Sequence, residues 1–223
     1  MKAHIIQGIK KYYPLSFREP TEKLLGRKVY HPKFDKYKCI FIHIPKTAGS
    51  SIGDALFGTD LTGHWTANTF KWTNPHKFTS YFKFAFVRNP WDRVASSYHY
   101  LKMGGKTRSD ATWALKNMAE FDSFEDFVLY GLHKNHILNW VHFRSQLEFI
   151  KDENDNIALD FLGRFENIAE DFEYINRKIG TKRPLPHRNN SDRPPYTELY
   201  TPAMAKKVSI IYKEDIHQLN YCF

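Results

Sequence analysis

The chain has 223 residues, enough to bury a full core in one domain, and its 42% hydrophobic and 16% aromatic content is that of a globular protein. No run approaches the roughly 18 consecutive apolar residues of a membrane span, and two cysteines, Cys39 and Cys222, support neither a disulfide framework nor a zinc site. Lys plus Arg number 33 against 24 Asp plus Glu, a net charge of +9 that suits an anionic ligand, and no signature of a nucleic-acid-binding fold accompanies the excess.

The excess is concentrated at the start, where residues 1 to 38 hold ten Lys/Arg against three Asp/Glu. Residues 1–35 read as a basic arm of solvated charge. The opening stretch has no sustained apolar segment and no small-residue cleavage site, so the expected compartment is the cytoplasm. Residues 38–58, KCIFIHIPKTAGSSIGDALFG, then change character. Cys39 to Ile44 suit a buried strand, and a loop with Lys46, Thr47, Ala48, Gly49, Ser50 and Ser51 leads into a helix. A strand end, a glycine for a close bend, hydroxyl donors and the positive end of a helix make a phosphate cradle. The Walker order GxxxxGK[ST] would put glycines where Ile40 and Pro45 stand, so this lysine-first loop lacks the donors that wrap a triphosphate.

Residues 81–101, YFKFAFVRNPWDRVASSYHYL, form a second unit of the same kind. Phe82, Phe84 and Phe86 alternate with Lys83, Ala85 and Val87 as in a strand. Asn89 is an N-cap, Pro90 suits the first helical position and Asp92 offsets the dipole, predicting a helix from Pro90 to about Lys102. Arg88 at the strand end and Ser96 two turns into the helix could hold a second phosphate. Alternatively, Arg88 pairs with Asp92 and Ser96 is helix surface. Eleven histidines offer candidate bases, and composition does not choose among them; His43 reads as a packing or orienting residue, and His99 shares a helix face with Ser96.

Farther along, GGKTRS at 104–109 reads as a mobile loop. DSFEDFVLYGL at 122–132 puts Phe124, Phe127 and Val128 on one helix face behind Asp122 or Ser123 as cap. Trp65, Trp72, Trp113 and Trp140 read as buried aromatics rather than sugar platforms. The proline-rich stretch around Ser191 and Arg193 reads as a loop over the site or a plain connection. From Pro202 to about Leu219, Met204, Val208, Ile211, Tyr212 and Ile216 recur at helical spacing and are expected to pack on the sheet.

IPKTAGSS and FVRNPWDRVASSY resemble the two donor-binding motifs of the sulfotransferases, in particular the carbohydrate branch with heparan 2-O- and chondroitin-type enzymes and bacterial relatives. DFLGRFENIAEDF at 160–172 looks like that family's late strand-helix segment, and NNSDRPPYTELY at 189–200 like its C-terminal stretch. Ser50-Ser51 stands where relatives commonly carry Thr-Ser. The resemblance implies an α/β three-layer, P-loop-like domain with a central, mainly parallel sheet flanked by helices. It implies a donor, 3′-phosphoadenosine 5′-phosphosulfate, and a carbohydrate acceptor, with no metal. The loop Lys46–Ser51 would hold the 5′-phosphosulfate, and Arg88 and Ser96 the 3′-phosphate, with Ser191 and Arg193 adding contacts. Lys46 would stabilise the leaving phosphate, and His64 in LTGHWTANTF would be the general base, with His99 its rival. Residues 38–103 would then be the donor-binding core, 104–157 the acceptor region and 158–223 a C-terminal strand, loop and helix. An ATP-dependent phosphotransferase and a non-enzymatic binding module of the same fold are the alternative readings.

Overall fold

The computed structural model describes residues 29–59, 63–186 and 194–223. Its strands, Cys39–Ile42 (β1), Phe82–Val87 (β2) and Phe161–Arg164 (β3), form a parallel sheet in the order β1-β2-β3. Phe41 pairs with Phe84, and Phe84 in turn with Phe161. Parallel neighbours require crossovers, and the crossovers here are helical. Gly49–Phe57 (α1) follows β1, and Pro90–Lys102 (α2) and Arg108–Asn117 (α3) follow β2. Ile168–Ile179 (α4) follows β3, and Pro202–Ile211 (α5) and Lys213–Gln218 (α6) close the chain. The architecture is an α/β sheet flanked by helices, as expected.

Local chemistry sets these bounds. The Asn89 side chain accepts from the Trp91 amide at 3.1 Å, Pro90 opens α2 and Asp92 lies in its first turn. The alternation in β2 does not produce a wet face, because Phe84 to Val87 are all buried in a central strand covered on both sides. Lys83 escapes by running its ammonium to Asp160 at 2.7 Å. Gly163 of β3 is small because a β-carbon there would come within 2.6 Å of the Phe86 ring.

The core has two parts. Ile40, Phe41, Ile52, Phe84, Phe86 and Phe172 pack around the sheet, while Trp91, Tyr98, Phe127, Phe143 and Val208 pack among the helices beyond α2. Ser123 caps the 122–132 segment by accepting from the Asp126 amide, and Phe127 and Val128 are buried as expected.

Two expectations need correction. Met204, Val208 and Tyr212 pack in the helical core, not on the sheet. The helix also breaks at Tyr212, where the hydroxyl donates to the Phe143 carbonyl at 2.6 Å and buried Asp215 accepts from Ser145 Oγ and the Gln146 amide. These buried polar ties outweigh the uninterrupted helical pattern. The 104–109 stretch is shorter as a loop than expected: α3 begins at Arg108, and Thr107 caps it by accepting from the Asp110 amide at 3.0 Å. Among the described residues no helix is long and apolar enough to cross a membrane, and Cys39 and Cys222 are both free thiols.

Candidate active site

The loop between β1 and α1 carries its bends at unexpected places. Lys46 and Ala48 have φ of 70° and 64°, the left-handed region, whereas Gly49 does not. Non-glycine residues rarely adopt this conformation, and strained turns of this kind gather at ligand sites. Gly49 is small for another reason: a β-carbon there would lie 1.9 Å from the His43 ring. Thr47 also departs from expectation. It is fully buried and its hydroxyl donates to the Ile44 carbonyl at 2.9 Å, so that proton closes the loop and does not face a ligand.

The start of α1 can receive an anion. Ala48 at the N-cap offers no side-chain hydrogen bond, and no acidic residue lies in the first turn. The first amides of a helix have no intrahelical partner, so those of Gly49, Ser50 and Ser51 sit at the positive dipole end without a built-in carboxylate. The left-handed turns at Lys46 and Ala48 belong to the class of backbone that gathers successive amides into a concave nest. The Lys46 ammonium rests 4.0 Å from the centre of the Tyr100 ring.

Arg88 follows β2 directly and reaches the same loop. Its Nη1 donates to the Lys46 carbonyl at 3.0 Å, its Nε pairs with Asp92 at 2.7 Å, and its guanidinium lies 3.9 Å over the Phe165 ring. The alternative pairing with Asp92 is therefore real, and it coexists with contact to the loop. Gln146 grips the Arg88 backbone at both ends, accepting from its amide at 2.9 Å and donating to its carbonyl at 2.8 Å. Ser96 is half-buried on α2. Ser191 and Arg193 lie outside the described residues.

His64 sits at the other side of the loop. Its Nδ1 is 2.9 Å from the His43 carbonyl, and its ring packs 4.4 Å from the His43 ring. A carbonyl only accepts, so Nδ1 carries the proton and Nε2 keeps its lone pair. Burial pushes the His64 pKa down to about 4, against the opposing pull of that carbonyl, so the ring is neutral at physiological pH. The His43 carbonyl thus fixes the His64 tautomer from just past the end of β1. His99 lies elsewhere, against Tyr98 and Phe124.

Several residues here had no signal in the local sequence pattern. Arg93, 2% exposed, donates from Nε to the Pro45 carbonyl at 3.0 Å and from Nη1 to the Arg144 carbonyl at 2.8 Å, pinning the loop to a distant turn. His142 packs 6.1 Å from His64, and Asp110 holds His142 and Tyr100. Only tertiary structure brings them to the loop. Among the described residues, no group of three or more His, Cys, Asp or Glu is arranged to hold a metal ion.

Comparison with known proteins agrees with the motif resemblance. The sulfotransferase family matches residues 33–222. An uncharacterized protein of Archaeoglobus fulgidus is 32% identical over 114 residues, 51% of this chain and 80% of that one. Carbohydrate sulfotransferase 11 of Rattus norvegicus is 25% identical over 171 residues, covering 66% of this chain and 48% of the relative. The protein of the same name from Mus musculus is 24% identical over the same length. The chain spans about half the length of these two carbohydrate sulfotransferases. No solved structure matches.

Proposed function

The chain belongs to the sulfotransferase family, and on that footing we propose that it moves a sulfuryl group from 3′-phosphoadenosine 5′-phosphosulfate to a hydroxyl of a carbohydrate acceptor. The donor would supply the electrophilic sulfur and a phosphate leaving group. In this reading Lys46, Ala48, Gly49, Ser50, Ser51 and the Thr47 amide hold the 5′ side, and Arg88 and Ser96 hold the 3′-phosphate, joined by Ser191 and Arg193. The 104–157 segment faces the acceptor. The observation that carries the reading is the uncapped, carboxylate-free start of α1 beside an oriented imidazole.

Each residue then has a distinct task. The first amides of α1 and the Lys46 ammonium neutralise charge that gathers on the departing phosphate. His64 Nε2 accepts the proton of the attacking hydroxyl, while the His43 carbonyl holds the ring in the tautomer that leaves this nitrogen bare. Arg88 fixes the loop through the Lys46 carbonyl, so a 3′-phosphate at Arg88 and a phosphosulfate at the loop would be set in one register. The names of the rat and mouse relatives support a saccharide acceptor, and the net charge of +9 favours an anionic one. Incubation with labelled donor and a panel of glycans, with the sulfate located by mass spectrometry, tests the reading. Label on a sugar hydroxyl is expected; donor consumption yielding no sulfated glycan counts against it.

A further inference from the structure

His142 lies outside both motifs, yet its side chain is 7% exposed and its ring packs 6.1 Å from His64 and 5.0 Å from Tyr100. Its Nε2 is 3.1 Å from Asp110 Oδ1. The other Asp110 oxygen accepts from the Tyr100 and Thr107 hydroxyls, each at 2.8 Å. Burial works against the Asp110 charge, but these three donors more than offset it and hold the carboxyl well below the usual range. An ionised carboxylate only accepts, so His142 Nε2 carries the proton and Nδ1 is a bare acceptor. Nδ1 is buried, and among the described residues it has no hydrogen-bond partner.

A buried acceptor left without a donor is costly, and native proteins rarely keep one without a use. This one belongs to a ring packed against the imidazole that takes the reacting proton. Both rings have one nitrogen tied to a fixed acceptor, His64 to a carbonyl and His142 to a carboxylate, and the other nitrogen basic. Two basic nitrogens on rings whose centroids stand 6.1 Å apart suit a ligand that offers two O–H donors at that spacing.

Resting on the sulfotransferase reading, we propose that His142 Nδ1 is an acceptor-binding atom that takes a hydrogen bond from a second hydroxyl of the sugar, beside the hydroxyl that His64 deprotonates. Asp110 is the positioning residue that sets the His142 tautomer. The site therefore takes a polyol with adjacent hydroxyls and disfavours a monohydric alcohol or a phenol. No bond is made or broken at His142.

Side-chain amides separate the two nitrogens. His142→Gln keeps a donor toward Asp110 and removes the acceptor at Nδ1, whereas His142→Asn keeps a polar atom near Nδ1 and loses the tie to Asp110. Donor-side integrity is read by calorimetry with 3′,5′-phosphoadenosine, and transfer is read with methyl glycosides and oligosaccharides of glucose, galactose and glucuronic acid, with propan-1-ol as the monohydric control. H142Q is expected to melt and to bind 3′,5′-phosphoadenosine like the wild type, yet to lose about 10- to 100-fold in kcat/KM for the sugars, mostly through KM. Unchanged kcat/KM in H142Q overturns the proposal while leaving the sulfotransferase reading intact, and so does a wild type that uses propan-1-ol as well as the sugars. Absence of 3′,5′-phosphoadenosine binding by the wild type removes the reading itself, and the proposal with it. Should H142Q not fold, imidazole ¹⁵N resonances of the wild type decide: the His142 Nδ1 signal shifts when sugar is added with 3′,5′-phosphoadenosine, and a signal that stays put overturns the assignment.

Discussion

At Gly49 an added methyl group would meet the His43 ring at 1.9 Å, and His43 holds His64 through its carbonyl. Gly49→Ala should therefore cost about 1–3 kcal/mol in stability through overpacking, measured by urea unfolding, and should lower transfer because His64, the proposed base, moves with His43. His64→Ala is expected to leave 3′,5′-phosphoadenosine binding intact while reducing turnover by roughly 10²–10⁴-fold. Lys46→Ala should depress kcat more than acceptor affinity. With the His64 pKa near 4, the acid limb of kcat/KM should fall near pH 4 and not near the ordinary histidine value. A limb near pH 6.5 would assign the base to an exposed imidazole.

Helix α1 makes a sharper case, because stability and binding should move in opposite directions. Its first turn has no acidic residue and no side-chain cap. Ser50→Asp would complement the dipole and stabilise the fold by about 0.3–1 kcal/mol, yet the same carboxylate would repel a phosphate at those amides. A raised Tm with abolished 3′,5′-phosphoadenosine binding is the expected pair of results, read by calorimetry. Much at this level could be read from the chain itself. The apolar run from Cys39 and the Asn89-Pro90 start of α2 gave both strand-loop-helix units, because their signals are local: caps, periodicity and a turn. Asp110, His142 and Gln146 escaped notice because the contacts Asp110–His142, Gln146–Arg88 and His142–His64 join residues 32 or more apart in the chain. The bends at Lys46 and Ala48 also escaped, since a left-handed lysine or alanine has no sequence mark, and glycine drew attention to itself for a packing reason instead.

Across the whole molecule, the buried imidazoles make stability depend on pH. Burial lowers the pKa values of His64 and His142, so the unfolded chain binds more protons than the folded one as pH falls below the ordinary histidine value. Their stabilisation is present above about pH 6.5 and is lost toward pH 4, with His64 alone contributing about 3 kcal/mol. Asp215, whose pKa burial raises, acts in the opposite sense and offsets part of the loss. Urea midpoints should decline between pH 6.5 and 4, and His64→Ala should flatten that decline.

The central claim is that two separate anion sites, the lysine-first loop and Arg88, serve one donor that carries a phosphate at each end. Calorimetric titration of the wild-type chain with 3′,5′-phosphoadenosine and with ADP tests it most directly. 3′,5′-Phosphoadenosine is expected to bind well and ADP far more weakly, since ADP has nothing to place at Arg88. Tight ADP binding with none of 3′,5′-phosphoadenosine would contradict it.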